Sequence, residues 1–429
     1  MLKISEYNFS SLYDIASGIS TSKSQAGHGS PFVSFSTVFN NYFLPDQLPD
    51  LMESSDTEQK LYSIKEGDIL LTRTSETIDE LAMSCIALKN YPNATFSGFT
   101  KRLRPRNGVE KIVYHKYLGF YLRSYLFRKS VTNHSIMTLR ASFNEEIFSL
   151  LKIYLPEYDE QVKIGDFLFS MHQKIQLNNT INAELEKLAK TLYNYWFVQF
   201  DFPDAKGNPY RASGGKMEYN DVLKREIPKG WEVVKFQKLV SSINTGLNPR
   251  DNFKLGTGQN NYVTIRNIDS GSLDFTGCAK ITDEAMKIIH RRSKISKGDI
   301  LFTSIEPIGR CYYINEEPKN WDINESVFSI RNNRILLKSD ALFYFVISSQ
   351  EFAKRGESKK VGSVHKGIRI EALKDIDVLI PPIELQEKIC KILENTLMDI
   401  SNNCEVNARL VKLRDFLLPL LMNGQVRVE

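Results

Sequence analysis

The residues best suited to chemistry in this 429-residue chain never assemble into a catalytic set. Asp50, Glu58 and Lys60 are the residue types a metal-dependent nuclease uses. Their spacing is cramped, they lie in a polar stretch, and the later half of the chain has no copy of them. Methyl transfer to an exocyclic amine calls for an Asp/Asn-Pro-Pro-aromatic loop, and Ile380-Pro381-Pro382-Ile383 lacks the polar first residue. The string Gly256 to Asn261 (GTGQNN) lacks the third glycine of a dinucleotide loop. P-loop, serine-elbow and H-E-x-x-H signatures are absent. Cys85, Cys278, Cys311, Cys390 and Cys404 are isolated and odd in number. That fits neither a disulfide framework nor a zinc site, so reduced thiols in a cytoplasm and no metal are expected.

What the chain does offer is groups that bind phosphate and base edges, in three places. The first is Lys101, Arg102, Arg104 and Arg106. The second surrounds two Gly-Asp-Ile-Leu strings: Thr72, Arg73 and Thr74 in the first half, and Ser304 and Arg310 in the second, with Arg291, Arg292 and Lys294 just upstream; Arg266 and Asn267 join this set. The third is His134, Ser135 and Arg140, matched later by Lys359, Lys360, Ser363, His365, Lys366 and Arg369. Lys and Arg neutralise phosphates, while Arg, Asn, Ser and His also reach base edges. The alternative for each is a solvated surface charge. His134 and His365 lie in corresponding segments and are expected to hydrogen-bond a loop, not to catalyse.

Bulk properties permit this reading without demanding it. The net charge is +5, a mild excess, and the 42% hydrophobic and 25% charged residues are ordinary for a folded soluble protein. No apolar run of 18 residues or more is present, so no membrane span is expected, and the N-terminal order does not suit a secretion signal.

The elements that position these groups come in duplicate. Gln161 and its neighbours recur 225 positions later at Gln386, and twelve of thirty-six ungapped positions through Trp196 are identical. Upstream, Ile64 to Thr74 (IKEGDILLTRT) matches Ile295 to Ile305 (ISKGDILFTSI), and FVSF from Phe32 resembles YVTI from Tyr262. Each half therefore reads as a mixed domain followed by a long helix.

In the first helix Ile164, Leu168, Met171, Ile175, Asn178, Asn182, Leu185, Ala189, Leu192 and Trp196 alternate by four and three, a heptad seam. The second repeats it at Ile389, Leu393, Ile400, Asn403, Asn407, Leu410, Leu417 and Leu421. Matching register and matching asparagines point to mutual, antiparallel pairing, which would give the molecule pseudo-twofold symmetry. The alternative is two amphipathic helices lying on separate cores. A 33-residue helix is about 50 Å long and can serve as a ruler. Pro419 is expected to break the last turn of the second helix.

Short β-rich runs dominate the two mixed regions: PFVSF, DILLT, SCIAL and KIVY, then NYVTI, DILFT, CYYI and RILL. Helical stretches follow at Lys116 to Lys129 and Ala341 to Lys354. The fold class expected is α+β, with curved, β-rich domains at 1–155 and 231–382, helices at 156–200 and 383–429, and a linker at 201–230.

The stretch from Leu155 to Met217, the Gly-Asp-Ile-Leu strings, VGSVHKGI (Val361 to Ile368) and IPPIELQEKI (Ile380 to Ile389) closely resemble the specificity subunit of type I restriction–modification systems. The resemblance covers essentially the whole chain. It implies that each mixed domain is a target recognition domain reading one half of a split double-stranded DNA site. The paired helices would space the half-sites and dock two adenine methyltransferase subunits, joined by restriction/translocase subunits. S-adenosylmethionine, ATP and Mg would belong to those partners, and no cofactor to this chain. The VGSVHKGI loop would lie near the DNA; the first copy reads HSIMTLRA, a departure from that pattern. The competing functions are a nuclease built on Asp50, Glu58 and Lys60, and a coiled-coil adaptor for other proteins.

Overall fold

The Gly-Asp-Ile-Leu strings become the central strands of two similar sheets. The computed structural model describes residues 3–20, 22–75, 77, 80–134, 141–269, 271–275, 277–357 and 367–428. Gly67 and Gly298 take positive φ (82° and 91°), a turn that excludes most side chains, and the aspartate after each folds back to accept a backbone N–H three residues earlier. Each chain then enters a strand buried along its whole length, Ile69–Thr72 or Ile300–Thr303. Such an uninterrupted apolar run has covered faces on both sides. Ile69 and Leu71 face one core and Leu70 another; Ile300 and Phe302 face one and Leu301 another.

The chain divides into two units, Met1–Leu177 with Val406–Glu429, and Asn178–Glu405. In the first, an antiparallel sheet runs Tyr13–Ser17, Thr100–Pro105, Ile69–Thr72, Ser84–Ile86. A second sheet runs Asp50–Met52, Ala26–Val33, Thr95–Phe96, its last pair parallel. In the second unit the matching sheets run Val240–Thr245, Val327–Asn332, Ile300–Thr303, Cys311–Tyr313, and Ala279–Ile281, Asn260–Val263, Trp321–Ile323, again with a parallel last pair. The repeat is thus a repeat of topology. Two expected strands are not strands: Lys111 ends a short 3-10 helix and Ile112–Tyr114 is irregular, and Arg334–Leu337 is a bend. Both expected helical stretches are broken into two short helices, His115–Tyr121 with Tyr125–His134, and Asp340–Ile347 with Gln350–Glu357.

The long helices span Tyr158–Tyr193 and Ile383–Met422. Each begins on a buried glutamine. Gln161 donates to the carbonyls of Ile112 and Pro156 and accepts from the Tyr114 N–H; Gln386 donates to Leu336 and Pro381 and accepts from Lys338. An amide that satisfies three backbone groups at once sets where the helix starts.

Each unit's core takes the start of one long helix and the end of the other. In the first unit Ile164 and Leu168 share a core with Leu418, Leu421 and Met422, and Leu417 packs against it. In the second, Ile389 and Leu393 share a core with Ala189, Tyr193 and Trp196, and Leu192 packs against it. The helices therefore run antiparallel within each unit. Ile175, Asn182, Leu185, Ile400, Asn403, Asn407 and Leu410 are half-buried, and Asn178 is buried. Asn403 bonds Asn182, and Asn407 donates to the Ile175 carbonyl at 3.5 Å.

Pro419 does not break its helix, which continues to Met422. The missing N–H is offset by burial of Leu418, Leu421 and Met422, each worth about 1.5–3 kcal/mol. Arg414 adds a clamp, stacking over Tyr42 at 5.0 Å, while Arg123 lies over the same ring at 4.8 Å and donates to four backbone carbonyls.

Candidate nucleic-acid interface

Several of the expected DNA contacts are committed to the interior. Thr72 is fully buried, donating to the Glu80 carbonyl and accepting from the Met83 N–H. Lys101 is buried with its ammonium on Ser17 Oγ at 2.8 Å, and burial, helped by Arg73, pushes its pKa down. Arg102 is buried over the Phe96 ring and donates to the Ser63 carbonyl; burial and then Arg104 lower its pKa. Arg104 forms a bidentate pair with buried Asp68, at 2.9 and 2.6 Å. Asn267 closes a small turn on Thr264 and Asp274. The Ser304 hydroxyl donates to Ser326 O at 2.8 Å. Thr72, Lys101, Arg102, Asn267 and Ser304 are buried and Arg104 is half-buried against Asp68, so these six side chains are engaged in the scaffold and not presented at the surface as the sequence suggests.

The basic residues at the surface form the remaining set. Arg73 is exposed, with a long bond of 3.4 Å to the Gly98 carbonyl. Arg106 is exposed and pairs with Asp14. Arg310 is partly exposed, donating to the Ile268 carbonyl beside Asp269. Arg266 and Arg369 are exposed. His134 bonds the Ser130 carbonyl within its own helix. Ser135, Arg140, Lys359, Lys360, Ser363, His365 and Lys366 lie outside the described residues.

In each unit the described residues that follow the third group meet the second group in the same way. Phe143 N–H donates to the Arg73 carbonyl at 2.7 Å, and Ala141–Ser142 pairs with Thr74–Ser75. At the matching place Ile368 N–H donates to the Ser304 carbonyl at 2.9 Å, and Gly367 bridges to Ile305. The chain leaving each basic segment thus lands on the end of the Gly-Asp-Ile-Leu strand.

Asp50, Glu58 and Lys60 form no catalytic set. Asp50 accepts from Thr37, and Glu58 caps its own helix on Ser55. Among the described residues no cluster of His, Cys, Asp or Glu could hold a metal ion, and no helix is long and apolar enough to cross a membrane.

One polar pair escaped the sequence reading. His290, exposed at the end of helix Asp283–Ser293, places Nδ1 3.2 Å from Asp322, which is fully buried. Burial pushes the Asp322 carboxyl up, and the Ser293 hydroxyl, the Ile323 N–H and His290 pull it back. The two residues are 32 apart in sequence, so no local spacing announces them.

Comparison with known proteins gives these features a context. The family described as "Type I restriction modification DNA specificity domain" matches residues 5–187 and 228–410. The MjaIX type I restriction enzyme specificity subunit of Methanocaldococcus jannaschii is 25% identical over 391 residues, 89% of this chain and 82% of that protein. The HindI specificity subunit of Haemophilus influenzae is 23% identical, over 92% of this chain and 94% of its own. The crystal structure of a type I S subunit from M. genitalium shares the fold, with a TM-score of 0.55 at 13% identity, over 98% of this chain and 96% of that one. The chain belongs to the type I restriction–modification DNA specificity family, as a specificity subunit: a component that recognises DNA and is not itself catalytic.

Proposed function

We propose that each unit reads one half of a split double-stranded DNA target, and that the paired helices space the two halves and carry two adenine methyltransferase subunits. Duplication is the observation that carries this reading. Two domains with the same strand order each bring the residues that follow a corresponding segment, Ala141–Phe143 and Gly367–Ile368, onto the same strand end. Two similar readers joined in one chain suit a target in two parts.

The outer faces of the helices support two equivalent docking sites. Ile181 and Val406 occupy equivalent positions of the repeat and are 39% and 40% exposed; Leu188 and Leu413 are likewise equivalent, at 65% and 45%. Apolar side chains repeated on the outside of a helix pair invite a packed partner, and their duplication suits two copies of it. Restriction/translocase subunits join that assembly in the cytoplasm. S-adenosylmethionine, ATP and Mg belong to the partners, and this chain contributes geometry.

The test is to map methylated adenines in cells expressing the chain with its cognate methyltransferase. A bipartite motif with a fixed gap is expected. A continuous motif, or methylation independent of the chain, overturns the proposal.

A further inference from the structure

A fully buried carboxylate that holds an exposed imidazole is an orienting device. Asp322 lies on strand Trp321–Ile323, beneath helix Asp283–Ser293. One of its oxygens accepts the Ile323 N–H at 2.8 Å, and the other faces His290 Nδ1 at 3.2 Å. The His290 side chain is 55% exposed, against 0% for Asp322. The tautomer that donates Nδ1–H to the carboxylate leaves Nε2 as the ring's acceptor.

The turn that carries His290 is held from several sides. Lys294 caps the helix in a left-handed conformation, and its carbonyl accepts from Arg331, which is itself paired with buried Asp299. Arg292 is tied to Thr245 Oγ1 at 3.1 Å. Arg291 and Lys294 are exposed beside His290. A rigid turn carrying two cations and an oriented ring suits a nucleic-acid surface, where phosphate contacts position and base contacts specify.

Among the described residues, the first unit has no such pair at the matching place. Parallel pairing aligns Tyr262 with Asp322 and Phe32 with Thr95, so a buried threonine stands in the place of the aspartate. The helix that precedes the central strand there, Asp56–Leu61, contains no histidine and has Asp56 and Glu58 in its first turn. A feature confined to one of two otherwise matching readers is the kind of difference that separates two half-sites.

We propose that His290, oriented by Asp322, contacts a base edge in the half-site read by the second unit, with Arg291 and Lys294 anchoring the adjacent phosphates. This rests on the DNA-reading function proposed above. As an acceptor, Nε2 pairs with an exocyclic amine, adenine N6 or cytosine N4, in the major groove.

The experiment uses the full chain co-expressed with its methyltransferase, methylated sites being mapped for wild type and variants, with binding to duplex DNA followed across salt. His290→Ala is expected to relax one base position in one half of the motif, by on the order of tenfold, and to leave the other half and the melting temperature unchanged. Arg291→Ala is expected to weaken binding to all sequences alike and to reduce the salt slope by about one. Should the alanine variant lose folding, His290→Gln replaces it, with relaxation at the same single position expected. A motif unaltered by whichever folded His290 variant is tested, or relaxed in both halves, overturns the inference while leaving the wild-type bipartite motif intact. Absence of any bipartite motif with the wild type would instead refute the function proposed above.

Discussion

Asn403 donates its side-chain amide to the Asn182 side-chain oxygen at 2.8 Å, across the two long helices. Asn182 in turn donates to the Ile400 carbonyl at 3.4 Å. An asparagine in an apolar seam fixes register, since any other alignment leaves an amide without a partner. Asn403→Leu alone is expected to cost about 1–3 kcal/mol, because the half-buried Asn182 side-chain oxygen loses its donor. Asn182→Leu combined with Asn403→Leu should recover most of that. Urea unfolding of both singles and the double checks it; strictly additive losses would remove the register role.

The paired aspartates of the Gly-Asp-Ile-Leu strings act as staples, not as reagents. Asp68 is fully buried against Arg104, and Asp299, also buried, accepts from Arg331 and Ser329. Removing one member of such a pair leaves an uncompensated charge, at a cost of about 3 kcal/mol. Asp68→Ala is expected to lower amide protection of Ile69–Thr72 and spare Ile300–Thr303; Asp299→Ala should do the reverse. Hydrogen exchange of the two strands decides, and equal loss in both would contradict unit-by-unit stapling.

The same pairs show why part of the molecule was legible in sequence and part was not. The seam announced itself because Ile164, Leu168 and Ile175 recur at Ile389, Leu393 and Ile400 with period 3.5, and packing obeys that period. The Gly-Asp-Ile-Leu strands were readable because a turn glycine precedes a short, wholly apolar run. Lys101 and Arg102 misled because cationic residue types suggest phosphate, whereas their burial depends on Ser17 and Ser63, distant in sequence. Pro419 misled because a local helix-breaking rule was outweighed by the core around Leu418 and Leu421. His290 carried no signal at all, its meaning residing in Asp322.

Acid should weaken the first unit through His172. Its ring is enclosed by Phe43, Phe120, Phe169 and Tyr42, and burial, reinforced by Arg414 and Arg123, pushes its pKa down to about 4. The unfolded chain binds this proton near the ordinary value of 6.5, which the folded chain resists. Stability is therefore full above about pH 6.5 and falls as pH drops toward 4, by up to about 3 kcal/mol. His115, also lowered by burial, acts in the same direction. His172→Phe is expected to flatten the decline between pH 7 and 4. Denaturant midpoints across that range test this; a variant as acid-sensitive as wild type would locate the effect elsewhere.

If the helices space the half-sites, their length should be written in the target. A seven-residue insertion between Asn178 and Asn182, matched by one between Asn403 and Asn407, preserves the heptad phase and keeps the Asn182–Asn403 contact beside the added turns. Each insertion lengthens its helix by about 10 Å at ~1.5 Å per residue. At ~3.4 Å per base pair that corresponds to about three base pairs of gap. The expected methylated motif keeps both half-site sequences and gains that gap, because the reading surfaces are untouched while their spacing changes. A folded insertion variant that methylates the original spacing as efficiently as wild type would show that something other than helix length sets the gap.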